Sequence, residues 1–256
     1  MKNNNAAEGE DDWQSAPERL HARRDEVHVW RASLKRTATE IATLGGLLSD
    51  DERDRANKFH FTRDRANFTV AHGVLRIILG LYLGLPPTRL RFTHNPYGKP
   101  SLDEGVVGES LFFNLSHAGD IALYAVALGR EVGVDVERVR DDIECGGIAD
   151  RFFSPREVAT LRALPPESQT RAFFDCWTRK EAYIKARGEG LSISLDSFDV
   201  SLSPGEAATL LALRDDANEG RWTLRELSLE PGYVGAVAVE GGRWRLCCWQ
   251  WGDQAA

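Results

Sequence analysis

The sequence predicts an α+β fold of two similar α/β halves, each an antiparallel sheet carrying helices, related by a pseudo-twofold with an active-site cleft between them. Three observations predict it. Strand-like runs of period 2 and helical runs of period 3.6 follow one another in nearly the same order twice along the 256 residues. The long helical run of each half stops on glycine, at Gly84-Leu85-Pro86-Pro87 and at Gly188-Glu189-Gly190. The phrases HAGDIALYAVALG and EPGYVGAVAVEGG echo each other at equivalent places, and two repeats are too few for a solenoid.

Residues 1–22 are polar and acidic and are expected to form a disordered tail. From Glu26 the run VHVWRASL alternates as a strand, and Ser49 before Asp50, Asp51 and Glu52 caps a helical pattern that continues through residues 68–83. LRFTHNPYGKP is a strand entering a turn; LFFNLS, a turn at residues 117–120 and IALYAVAL form an antiparallel pair. The junction near residues 129–133 separates an N-terminal half, 23–130, from a C-terminal half, 131–256. In the second half, residues 155–164 and 171–186 are helical, SFDVSLSP is a strand, and the terminal stretch is strand, turn, strand, strand.

A hydrophobic content of 42% and a charged content of 28% suit a soluble globular chain, and no stretch is expected to reach the apolar run of a membrane helix. Cys145, Cys176, Cys247 and Cys248 make no CxxC pair and are expected to be the reduced thiols of a cytoplasmic protein. The net charge of −7 argues against general nucleic-acid binding. Screening over ~10 Å still allows a local basic patch. Arg53, Arg55, Lys58, Arg63, Arg65 and Arg76 supply one, either a dock for an anionic small molecule or a solvated helix face.

Asp135 and Glu137 in VGVDVERV are two apart on a strand, so both carboxylates leave the same face, as a divalent-metal half-site requires; alternating acids on an exposed strand are the plain alternative. Trp177, Glu181 and Lys185 follow at i, i+4 and share a helix face, either as a surface Glu–Lys pair or as an acid and an ammonium facing a pocket. Ser116 and His117 are strand neighbours pointing to opposite faces, which argues against a serine hydrolase and leaves a turn offering hydroxyl, backbone N–H and imidazole to phosphate oxygens. In NPYGKP, a turn, Lys99 is the cationic handle; Cys247 and Cys248 sit among tryptophans as core.

Taken in order, NPYGKP, FNLSHAGD, GVDVERV, RFFSPRE and FFDCWTRKEAYIKARGEGLS resemble the Sfp-type 4′-phosphopantetheinyl transferases over about residues 27–235. The resemblance implies a monomer that moves the phosphopantetheine arm of coenzyme A to a serine of an apo acyl or peptidyl carrier protein and releases 3′,5′-ADP. It implies Mg²⁺ on Asp135, Glu137 and Glu181, and coenzyme A against Lys99, Ser116, His117 and Lys185, with Arg55 at the 3′-phosphate. All-oxygen ligands also admit Mn²⁺. Glu181, directly or through a metal-bound water, is the candidate base and Lys185 the group that stabilises or protonates the leaving ADP. Some relatives are basic one turn before Arg55, where this chain has Asp51 and Glu52; Arg53, Arg63 and Arg76 are the candidate substitutes. Carrier docking is expected on basic and apolar residues flanking 152–187. A metal-dependent nucleotide hydrolase and a non-catalytic coenzyme A or carrier-binding protein are the competing readings.

Overall fold

The computed structural model describes residues 13–17, 20–103, 110–214 and 221–252. In chain order the elements are β1 (Gln14–Ser15), β2 (Glu26–Ser33), α1 (Ala38–Gly45), α2 (Asp50–Asn57), α3 (Thr62–Leu83), β3 (Phe92–His94), β4 (Pro100–Leu102), β5 (Leu111–Ala118) and β6 (Ile121–Leu128). There follow β7 (Val132–Arg138), α4 (Cys145–Phe152), α5 (Pro155–Ala163), α6 (Pro166–Arg187), β8 (Phe198–Val200), β9 (Leu210–Leu213), β10 (Trp222–Glu226), β11 (Tyr233–Glu240) and β12 (Arg245–Gln250). Reciprocal capping boxes open three helices: Thr37 with Glu40, Ser49 with Glu52, and Ser154 with Glu157. The two 22-residue helices, α3 and α6, end on left-handed Gly84 and Gly188, as the glycine stops predict.

A five-stranded sheet runs β1-β12-β2-β6-β5 and a three-stranded sheet runs β10-β11-β7. Alternation sorts their side chains into layers. Val27, Val29, Leu123, Ala125 and Ala127 of the first sheet meet Val132, Val134, Val136, Val237 and Val239 of the second. The outer face of the first sheet, with Trp30, Tyr124 and Val126, carries α3; the outer face of the second, with Val234, Ala236 and Ala238, carries α6. The order is therefore helix, sheet, sheet, helix. At the seam, β7's unpaired edge is met by β5 side chains: Val134 N–H donates to Asn114 Oδ1 at 2.9 Å and Val136 N–H to Ser116 Oγ at 3.4 Å.

Four expectations are corrected. The first sheet is mixed, because β12 lies parallel to β2 and β1 parallel to β12; the last strand among the described residues thus joins the sheet built on β2, β5 and β6. The predicted tail is ordered over part of its length: β1 pairs with Trp249 and Gln250, the Trp13 indole donates to Ser228 O at 2.5 Å and lies over Arg31, and Leu20 is buried. Residues 1–12 and 18–19 of that tail lie outside the described residues. The helix beginning after Ser49 is broken before Thr62 into α2 and α3. Finally, α3 is long and apolar enough to cross a membrane by length and composition, with a window of mean hydropathy 1.4; 61% of that window is buried in the fold, as befits a core helix. Its one inward arginine, Arg76, is 1% exposed and fully engaged: Nε donates to Glu52 at 2.7 Å and Nη1 to the carbonyls of Pro87 and Leu90.

RFFSPRE and TRKEA meet in the core. The Lys180 ammonium lies 2.8 Å from Glu157, with 0% and 2% of the two side chains exposed. It also donates to the carbonyls of Leu195 and Phe198 at 2.7 Å, while Glu157 accepts from the N–H groups of Ser154 and Val200. Removing one member leaves a buried unpaired charge, so Lys180→Met is expected to cost about 3–5 kcal/mol. Adding Glu157→Gln should restore part of that loss, as read by urea unfolding of both variants.

Candidate functional site

The site begins with the alternation of β7. Val132, Val134 and Val136 face the other sheet, so Gly133, Asp135 and Glu137 face α6. A Cβ at Gly133 would collide with Ala182 O and Ala186 N, so glycine here lets the helix backbone rest on the strand. Ala182 and Ala186 are fully buried, and Glu181 and Lys185, each one position earlier, flank that contact one turn apart. The Lys185 ammonium reaches Asp135 Oδ1 at 2.6 Å and Ser116 Oγ at 2.9 Å; Ser116 donates to the same Asp135 oxygen at 2.8 Å. Three elements, β5, β7 and α6, thus converge on one carboxylate.

The other Asp135 oxygen, Oδ2, is buried with no hydrogen-bond partner, and the residue is 3% exposed. Burial, then the charges of Asp135 and Glu181, push Glu137 up to about 7, against the opposing pull of Lys185 and Arg140. Burial and Asp135 raise Glu181 as well, with Lys185 opposing. Three carboxylates facing one ammonium, with a desolvated oxygen left over, are short of positive charge. An all-oxygen donor set of this kind fits a hard divalent cation. Among the described residues, the trio of potential ligands whose atoms all lie within 4.8 Å is a different one, Glu26, His28 and Cys247. Two of that trio have protein partners: Glu26 pairs with Arg245 and His28, and the other nitrogen of His28 bonds the Tyr82 hydroxyl at 2.6 Å.

The remaining predicted residues fall around this centre. His117 leaves β5 on the face opposite Ser116, and burial with the Lys185 charge lowers its pKa, Asp64 opposing. Both residues lie within the strand and the turn is at Gly119 and Asp120, which corrects the expected Ser-His-Ala-Gly turn. Lys99 latches the NPYGKP turn to the start of β7 and the end of α6: its ammonium donates to Glu131 at 2.6 Å, Ala186 O at 2.8 Å and Val132 O at 3.3 Å, while Asn95 donates to Gly188 O at 2.6 Å. Arg55 is exposed, 5.5 Å over the Phe68 ring, with no ion pair among the described residues. Of the substitutes considered for the acidic turn before it, Arg53 bonds Asp50 and Leu48 O, Arg63 pairs with Asp120, and Arg76 is buried.

Sequence reasoning missed His72. It stacks on Phe68 with centroids 3.8 Å apart, its Nδ1 bonds Phe68 O at 3.0 Å, and burial holds it down at about 4 despite Glu52 nearby. Arg55 and His117 act on it electrostatically, so the three share one neighbourhood. The i, i+4 spacing from Phe68 was the available signal.

The family model described as the 4′-phosphopantetheinyl transferase superfamily matches residues 131–238, and the one described as 4′-phosphopantetheinyl transferase, N-terminal, matches residues 30–128. The 4′-phosphopantetheinyl transferase HetI of Nostoc sp. is 40% identical over 239 residues, 93% of this chain and 98% of that protein. The chain belongs to the 4′-phosphopantetheinyl transferase superfamily. The 4′-phosphopantetheinyl transferase Sfp of Bacillus subtilis is 29% identical over 75% of this chain and 82% of its own. The L-aminoadipate-semialdehyde dehydrogenase-phosphopantetheinyl transferase of Mus musculus is 30% identical over 75% and 67%. Among solved structures, Thermotoga maritima holo-[acyl-carrier-protein] synthase aligns with a TM-score of 0.35 at 22% identity, over 44% of this chain and 64% of that one. In this transferase the superfamily match contains Asp135, Glu137, Glu181 and Lys185, and the N-terminal match contains Arg55, Lys99, Ser116 and His117.

Two expectations follow for the transferase. Gly133→Ala should force α6 off β7, lowering stability by at least the ~1–3 kcal/mol of ordinary overpacking; thermal unfolding checks this. Between its ordinary value of 4.5 and its folded value of about 7, Glu137 keeps in the native state a proton that the unfolded chain has released. Its contribution to the metal-free protein is therefore full below the unfolded value and lost as pH rises through the folded one. Melting in EDTA across that window should show the decline, and Glu137→Gln should flatten it.

Proposed function

We propose that this chain transfers the phosphopantetheine arm of coenzyme A to a serine hydroxyl of an apo acyl or peptidyl carrier protein, releasing 3′,5′-ADP. The observation that carries the proposal is the Asp135–Lys185–Ser116 junction, with an unpartnered carboxylate oxygen and two further acids of raised pKa beside it. Asp135, Glu137 and Glu181 would hold Mg²⁺, with Mn²⁺ a substitute. A bound ion of this class supplies charge neutralisation and Lewis acidity at a diphosphate.

The chain's own residues then divide the work. Glu181, its proton affinity raised by burial, accepts the proton of the carrier serine as that oxygen bonds the β-phosphorus of coenzyme A. The bond from that phosphorus to the oxygen bridging to the 3′,5′-ADP breaks, and Lys185 stabilises or protonates the leaving phosphate. Ser116 orients Lys185 and Asp135 through two hydrogen bonds. His117, Arg55 and Lys99 contact the nucleotide, Lys99 from the turn that it anchors against α6. The carrier docks along the basic and apolar residues flanking 152–187, where Arg151 lies over the Phe152 ring.

The same proposal treats the enzyme as a cytoplasmic monomer of two duplicated halves, 23–130 and 131–256, about a pseudo-twofold, with coenzyme A between them. Strand order supports the duplication: β2 pairs with β6 and β6 with β5, just as β7 pairs with β11 and β11 with β10. A 22-residue helix packs on the outer face of each sheet.

The decisive experiment is the intact mass of an apo carrier protein after incubation with this chain, coenzyme A and Mg²⁺, beside an EDTA control. One phosphopantetheine should be gained, and only with metal; 3′,5′-ADP released without any carrier would indicate a hydrolase instead. Glu181→Gln should slow transfer by about 10²–10⁴-fold, the usual worth of a positioned base. Near-normal turnover in that folded variant would remove Glu181 from the role.

A further inference from the structure

The turn between β5 and β6 is held from several sides. Gly119 takes φ 58°, and Asn67 of α3 donates to its carbonyl at 3.1 Å. Arg63 and Lys35 each pair with the Asp120 carboxylate at 3.0 Å, and Leu34 N–H donates to Asp120 O at 2.7 Å. Those groups all belong to the first half. From the second half comes Tyr233, whose hydroxyl oxygen accepts the Asp120 N–H at 3.2 Å. The contact is close: a Cβ at Gly119 would lie 2.5 Å from that oxygen.

Both ends of this contact lead to the site. His117 lies two residues before Gly119 on β5. Tyr233 opens β11 in register with Arg138, and the succeeding pairs are Val234 with Glu137 and Ala236 with Asp135. The ring also lines an open cavity of about 250 Å³ with Arg31, Lys35 and Glu230, so it has room to shift and its hydroxyl contact helps fix its place. The two phrases that echo each other in sequence, HAGD and EPGY, are the two that touch here.

We infer that Tyr233 is a positioning residue: its hydroxyl sets the spacing between the turn that carries His117 and the strand pair that carries Asp135 and Glu137, and through that spacing the affinity for coenzyme A. The inference rests on the proposed contact of His117 with the nucleotide. Losing one hydrogen bond between the halves loosens that spacing without removing a reacting group, so the affinity for the nucleotide should fall, with KM moving more than kcat.

The test uses the full chain carrying Tyr233→Phe, with KM and kcat for coenzyme A and, independently of transfer, the calorimetric dissociation constant of 3′,5′-ADP. Loosening the spacing predicts about a fivefold rise in both KM and the dissociation constant, with a smaller fall in kcat and a melting temperature lower by about 2–4 °C. Gly119→Ala supplies the second arm. Its methyl meets the Tyr233 hydroxyl, so its effect on 3′,5′-ADP affinity should be larger in the wild-type background than in Tyr233→Phe. Unchanged affinity in Tyr233→Phe, or loss of kcat and stability at constant KM, would overturn the inference. A wild-type chain that binds 3′,5′-ADP yet transfers nothing would overturn the transferase proposal and leave the binding measurements to decide the role of Tyr233.

Discussion

The closeness of α6 to β7 governs most of what this molecule can do. At Gly133 the helix backbone occupies the space of a side chain, and Ala182 and Ala186 keep the other surface of the contact equally thin. Only at that separation can Lys185 reach Asp135 across to the strand while Ser116 joins them from β5. The helix is held there by charges buried on its other flanks. Lys180 is bonded to Glu157, and Arg179 donates to Ser201 O at 2.7 Å and Glu226 at 2.9 Å. The neighbouring lysine and acid of RKEA therefore have separate tasks: Lys180 points into the core and fixes the helix, and Glu181 points to the site.

The same contact explains the electrostatics. A carboxylate taken out of water needs donors or a cation, and Asp135 has them at one oxygen only. Its charge is then felt by Glu137 and Glu181 through a poorly solvated gap, which raises both. The fold supports this strained cluster because the second sheet is secured elsewhere, through its valine face and the buried ion pair on α6. Raised carboxyl values beside an unpartnered acceptor oxygen mark a region of the fold that is short of positive charge.

Much of this was legible in the sequence because it is local. Period-2 alternation placed Asp135 and Glu137 on one face, i, i+4 spacing placed Glu181 and Lys185 together, and Ser49 and the two glycine stops marked helix ends that the structure has. What escaped was non-local or compositional. No local pattern reveals that β12 returns to lie parallel to β2, since a buried strand has the same sequence beside either neighbour. Trp13 was hidden in an acidic stretch, and Arg76 made α3 look like part of a basic patch when it is a neutralised core residue. His72 carried no motif; only the packing against Phe68 brings it near Arg55 and His117.

The seam between the two sheets is polar at the β5–β7 edge and apolar elsewhere, and that division has a physical consequence. Valines and alanines join the sheets over most of their area, which is non-directional and tolerates small shifts. At the β5–β7 edge the join is instead made by Asn114 and Ser116, whose side chains take the N–H groups that a strand partner would otherwise have accepted. Hydrogen bonds fix direction as well as distance. Ser116 belongs to both systems, since the oxygen that accepts Val136 N–H also accepts from Lys185 and donates to Asp135. Displacement of β5 relative to β7 must then disturb the ammonium and the carboxylate together. The Lys99 latch acts in the same sense at the C-terminal end of α6, tying the NPYGKP turn to Ala186 and Val132, residues that adjoin Lys185 and Gly133 in sequence. Asp135 and Lys185 are thus tied to Ser116, and the end of α6 to Lys99, by directional bonds, so the placement of β5 and the NPYGKP turn relative to β7 and α6 is coupled to the geometry around Asp135.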